Sequence, residues 1–93
     1  MIERIATIAS PVGLHARPAA TFAEAAAKYD TLEITIAAEG EPEEDARDAS
    51  SILSLMSLGA SHGDKVVLRS EGQGAEVALN QLAQLLETDH GAH

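Results

Sequence analysis

Residues 75–87 carry Ala75, Ala78, Leu79, Leu82, Leu85 and Leu86 at intervals of three and four, a spacing that a helix gathers onto one face. A helix with one apolar side must bury it against another element, and in a chain of 93 residues that element has to be built from what remains. A second stripe, Ala19, Phe22, Ala23, Ala26 and Tyr29, runs through an alanine-rich segment that starts at Ala16. Elsewhere the period falls to two. Ile2, Ala6 and Ile8 oppose Glu3 and Thr7 in a strand over 2–9, and Leu32, Ile34 and Ile36 oppose Glu33 and Thr35 in "LEITIAA". "KVVLRS", between Gly63 and Gly72, reads as the last strand. "SSILSLMSLG" opens on a serine pair able to cap a helix and closes on Gly59, which predicts a helix of about two turns. The polar, mostly acidic stretch 39–48, with Gly40 and Pro42, is expected to be a solvated turn leading into a short strand around Ala46–Ala49. The order is therefore βαββαβα without an internal repeat. It predicts an α+β fold in which one mainly antiparallel sheet carries its helices on a single face. One domain over 1–88 is expected, followed by a frayed tail at 89–93.

Composition closes off several classes of function. The chain has no Cys, which removes disulfides, thiolate nucleophiles and Cys-based metal centres. The start "MIERIATIAS" has charges directly after Met1 and no long apolar run, so neither a signal peptide nor a membrane span is expected, and a cytoplasmic protein fits. Fifteen acids against six bases give a formal charge of −9, which repels phosphate backbones, and one Phe and one Tyr leave little for base stacking. Nucleic acid is not an expected partner, nor is membrane insertion.

Chemistry is expected in "GLHARPAA", Gly13 to Ala20. Pro18 is harmless in the first turn of a helix, where its missing N–H would have no partner anyway, so the string marks a helix start with His15 on its lip. Gly13 permits a tight turn just before it. Free N–H groups and the positive dipole end of the helix point back toward His15; they favour an anion there and disfavour imidazolium, which leaves a neutral ring with a lone pair. Arg17 adds a fork of donors suited to phosphate. The other histidines have plainer settings: His62 at a loop tip in "ASHGD", and His90 and His93 in the tail, where spacing would permit a shared metal but no second group orients the rings. No metal and no cofactor is expected.

With "GLHARPAA" followed by "SILSLMSLG", then by a Gly-bounded strand and a Leu-striped helix, the chain resembles, over residues 2–88, the HPr family of histidine-containing phosphocarriers of the bacterial phosphotransferase system. The resemblance implies an open-faced β-sandwich of four strands with three helices on one side. It implies a carrier rather than an enzyme, likewise a monomer, which accepts a phosphoryl group on Nδ1 of His15 from enzyme I charged by phosphoenolpyruvate and passes it to the IIA component of sugar transporters. Arg17 would neutralise the group, and the backbone N–H groups of Ala16 and Arg17 would complete its cradle.

By the same resemblance Ser51 matches a serine that HPr kinase/phosphorylase modifies in some relatives, while a serine is wanted there as a helix cap in any case. Ile52, Leu53 and Met56 match an apolar docking patch; Leu55 and Leu58 are the expected core residues of that helix. Ser50, Glu24 and Ala27 stand where many relatives have basic residues, and the acidic loop 39–48 is longer. Two rival readings are open. A small hydrolase or transferase using His15 as general base would need a nucleophile, an orienting carboxylate or a metal, and none lies at readable spacing. A regulatory relative would bind a transcription regulator with Ser51 as its switch, and the presence of both His15 and Arg17 favours transfer.

Overall fold

Four strands and three helices follow one another in the expected order: β1 (Ile2–Thr7), α1 (Ala16–Ala27), β2 (Thr35–Ala38), β3 (Arg47–Asp48), α2 (Ile52–Ser57), β4 (Lys65–Ser70) and α3 (Ala75–Glu87). The structure is a computed structural model and describes residues 1–9, 13–14 and 16–88. The expected tail at 89–93, with His90 and His93, and His15 itself lie outside the described residues. A single 3-10 turn, Glu43–Asp45, interrupts the acidic loop.

The sheet has the order β1-β4-β2-β3 and every pairing is antiparallel. Register explains the two faces. Ala6 pairs with Val66 and Ile36 with Leu68, so these side chains share the face that the helices cover, and all four are buried. One residue along, Ile5, Val67 and Ala37 form a row on the opposite face, and Glu3, Arg69 and Thr35 form the next. On that face Arg69 Nε donates to Glu3 Oε2 at 2.6 Å.

Both long helical stripes meet this sheet as the spacing requires. α1 buries Ala19, Phe22, Ala23 and Ala26; α3 buries Ala75, Ala78, Leu79, Leu82, Ala83 and Leu86. Large side chains of this kind contribute roughly 1.5–3 kcal/mol each when fully buried, and Phe22, the only Phe, joins Leu79, Leu82, Leu68 and Ile36 in one cluster. The Tyr29 hydroxyl donates to Gln81 Oε1, linking the end of α1 to α3.

Several boundaries are shorter than the sequence predicts. β1 stops at Thr7 rather than Ala9 because Ile8 and Ala9 bond to other partners: Ile8 to the turn before β4, and the Ala9 N–H to Leu86 O at 2.9 Å. α1 ends at Ala27, although Lys28 and Tyr29 continue with tighter bonds to Ala25 and Ala26. β2 begins at Thr35, and β3 has two residues where four were expected. Ile2 is 38% exposed at the open end of β1, despite sharing the parity of buried Ala6.

Candidate functional site

Two neighbouring pieces of backbone hold the start of α1 in place. Gly13 has φ 72, in the left-handed region, and a Cβ there would lie 2.5 Å from the carbonyl oxygen of Ala60. The expected tight turn is thus also a close approach. Leu14, buried in the core, donates its N–H to that same Ala60 oxygen at 3.0 Å. The chain is anchored at Leu14 and becomes helical at Ala16, and His15 is the one residue between them.

The first turn of α1 holds Ala16, Arg17 and Pro18 and contains no acidic residue, so its positive end faces no carboxylate of its own. Arg17 is exposed, and its carbonyl accepts from Thr21 Oγ1 at 3.2 Å. Its guanidinium differs from those of the other arginines. Arg4 pairs with Glu87 at 3.5 Å, Arg47 with Glu41 at 3.5 Å and Arg69 with Glu3 at 2.6 Å, whereas Arg17 makes no ion pair among the described residues.

α2 packs against α1 and leads directly into the Ala60 anchor. Its start is capped as the serine pair suggests, with the two serines dividing the work. Ser51 Oγ accepts the Ser54 N–H at 3.2 Å, while the Ser50 hydroxyl and N–H both donate to Asp48 Oδ1, at 2.7 and 2.9 Å. The Ser50 hydroxyl, followed by its N–H, holds the Asp48 carboxyl below the usual value of 3.8. Gly59, at φ 67, ends the helix as expected. Leu55 is fully buried and Leu58 half-buried, while Ile52, Leu53 and Met56 are 43%, 80% and 41% exposed. Three large apolar side chains thus remain in solvent on six residues of helix.

The feature that spacing alone underrates is the turn after α2. Asp64 N–H donates to Ser61 O at 3.0 Å and Gly63 has φ 87, which makes Ser61–Asp64 a type II turn with His62 at its second position. Its imidazole reaches Ala9, with Nδ1 3.1 Å from the carbonyl oxygen. The "HGD" string signals the turn, but nothing local points to Ala9. A cleft lies elsewhere, at the far end of α1 between Tyr29, Leu32, Asp30, Glu33 and Asp48, where the last turn of the helix has no basic residue. Among the described residues no group of three or more His, Asp or Glu is placed to hold a metal ion, and no helix is long and apolar enough to cross a membrane.

Comparison with known proteins agrees with this geometry. The family model described as "PTS HPr component phosphorylation site" matches residues 2–88. The phosphocarrier protein HPr of Streptomyces coelicolor is 42% identical over 87 residues, covering 92% of this chain and 88% of that protein. That of Haloferax volcanii is 39% identical over 87 residues, with 94% of each chain covered. The crystal structure of HPr-C-His from Thermoanaerobacter tengcongensis superposes with a TM-score of 0.82 at 38% identity, covering 100% of this chain and 99% of that one. The four antiparallel strands under three helices are the fold of these proteins, and this chain belongs to the HPr family of the phosphotransferase system, as a phosphocarrier and not an enzyme.

Proposed function

We propose that the phosphoryl group is carried on Nδ1 of His15, received from enzyme I charged by phosphoenolpyruvate and delivered to IIA components of sugar transporters. The observation that supports this most is the state of Arg17. In a chain with fifteen acids the other three arginines each hold a carboxylate, and Arg17, in a first turn free of acids, holds none among the described residues. A guanidinium kept clear of carboxylates beside a positive helix end is suited to a transient dianion. In the transfer the imidazole lone pair forms a bond to phosphorus as the bond from phosphorus to the donor breaks, and the same exchange in reverse releases the group to the acceptor. The chemistry needs positioning and charge neutralisation, for which Arg17 and the N–H groups of Ala16 and Arg17 suffice on this side.

Ile52, Leu53 and Met56 form the surface on which both partners dock. Ser51 is the regulatory position, modified by HPr kinase/phosphorylase where the cell has one. The protein works as a cytoplasmic monomer whose functional domain is 1–88. Incubation with enzyme I and phosphoenolpyruvate, followed by acid-lability and fragmentation mapping, is expected to place a phosphoramidate at His15. His15→Ala should abolish labelling with the fold intact. Arg17→Ala should slow transfer at least tenfold, since hydrogen bonds to charged groups contribute about 1.5–3 kcal/mol each. A label on another residue overturns the assignment.

A further inference from the structure

We propose that the outer edge of β1 is a surface for pairing with a second copy of this chain, and that the guanidinium of Arg4 holds it shut. The inference rests on the reading of the protein as a monomer. An open sheet of order β1-β4-β2-β3 has two edges. The β3 edge is two residues long, too short to template another strand, whereas β1 offers six, Ile2–Thr7. Ile8 donates to Asp64 and accepts from Gly63, so its backbone faces the β4 side; alternation turns Ile2, Arg4 and Ala6 the same way and Glu3, Ile5 and Thr7 outward. Ala9, next in the outward series, obeys the rule, since its N–H leaves the sheet to bond Leu86 O of α3. The N–H groups of Glu3, Ile5 and Thr7 have no backbone acceptor among the described residues.

Such a row is a template for strand addition, and its register suits a second copy. With two β1 strands antiparallel about Ile5, Ile5 stands opposite Ile5 and Glu3 opposite Thr7, so the outward groups of one copy meet those of the other and the two Glu3 carboxylates stay apart. Ile5 is 48% exposed on the sheet face that the helices leave open, where the matching isoleucine of the second copy would cover it. Arg4 occupies the centre of that row. Its side chain starts on the helix-covered face, across from Leu68, yet Nη1 donates to the carbonyl of Ile5 at 2.7 Å, the acceptor that the second strand needs at the two-fold axis. α3 holds the guanidinium there: Nε donates to Asn80 Oδ1 at 3.2 Å and Nη2 lies 3.5 Å from Glu87 Oε1. Stapling α3 to β1 needs only these last two contacts, and the bond to an edge carbonyl adds nothing to it. What that bond does is remove an acceptor from the edge and leave a cation where an incoming backbone must lie.

The test compares wild type, Arg4→Thr and the double variant Arg4→Thr/Ile5→Lys by sedimentation velocity over a concentration series, with amide hydrogen exchange and circular dichroism recorded for each. Wild type should sediment as a monomer throughout, with rapid exchange at Glu3, Ile5 and Thr7. Arg4→Thr keeps a β-branched residue in the strand and loses only surface contacts, so the fold should survive. Its mass should approach about twice that of wild type at the upper end of the series, with exchange at those amides slowed about tenfold or more. Adding Ile5→Lys places like charges opposite each other at the axis and should return both mass and exchange to wild type. A folded Arg4→Thr protein that stays monomeric overturns the clamp, as does a dimer in which those amides exchange rapidly or one that survives Ile5→Lys. A wild-type protein that sediments as a dimer overturns the monomer reading instead, and the clamp with it.

Discussion

α3 runs for 13 residues and buries Ala75, Ala78, Leu79, Leu82, Ala83 and Leu86, whereas α2 runs for six and buries Leu55 alone, with Ile52, Leu53 and Met56 in solvent. Both are apolar segments closed by short polar turns, and the difference lies in what each faces. α3 lies across β1 and β4, so a stripe along its whole length is removed from water. α2 touches α1 and the two-residue β3, which offers cover for one side chain and part of Leu58. Clustered apolar surface that the fold does not cover is available to another molecule. α3 therefore maintains the fold, while α2 leaves apolar side chains in solvent, on the surface proposed above for docking.

Truncating one leucine in each helix should separate the two behaviours. Leu79→Ala, at a fully buried position, should destabilise the protein by roughly 2–5 kcal/mol in urea denaturation, a large share of the stability of a small domain, while transfer by the folded fraction persists. Leu53→Ala, at an 80% exposed position, should stay within about 0.5 kcal/mol of wild type and instead raise KM for transfer from enzyme I. If Leu53→Ala unfolds at lower denaturant and transfers normally, α2 is a structural helix like α3.

A smaller effect is expected at the cap. α2 is too short to persist on propensity alone, and the Ser51 Oγ contact to the Ser54 N–H satisfies one of its four unpaired donors. Ser51→Ala should cost roughly 0.5–2 kcal/mol and leave transfer intact, whereas Ser51→Asp, which can also cap, should keep its melting temperature and slow transfer by placing charge beside Ile52 and Leu53. Wild-type transfer by Ser51→Asp would reduce Ser51 to a cap.

The same contrast explains what could be read from the chain. Elements whose signal is local and repeated were legible almost to the residue: α3 begins at Ala75, β4 spans "KVVLRS", and Gly59 ends α2. Pro18 and Gly13 marked the start of α1, and Arg17 stands in its first turn as the motif implies. Legibility failed where the deciding partner is distant in sequence. Alternation cannot tell that Ile8 leaves β1 to bond Asp64, that Ile2 lies at an open edge, or that a Cβ on Gly13 would strike Ala60. His62 reads as a loop tip because its partner, Ala9, precedes it by fifty-three residues.

The smallest expected effect concerns the turn that delivers the chain into α2. Asp48 Oδ1 takes both the hydroxyl and the N–H of Ser50, which occupies Ser50 and leaves Ser51 to cap. Because these bonds favour the carboxylate, its pKa in the folded protein lies below the unfolded value. A group depressed in this way stabilises the fold above the unfolded value, and the contribution fades as pH falls through the folded one. Ser50→Ala removes the larger of the two donors and keeps the N–H. The Asp48 carboxyl, followed by its ¹³C shift from pH 6 to pH 2, should then titrate closer to 3.8 than in wild type. Stability at neutral pH should scarcely change, since the pair is exposed, and Ser51 should still cap. An Asp48 titration unaltered by Ser50→Ala would mean that the backbone N–H alone holds the turn. A loss of stability as large as that of Ser51→Ala would instead make Ser50 the residue on which the start of α2 depends.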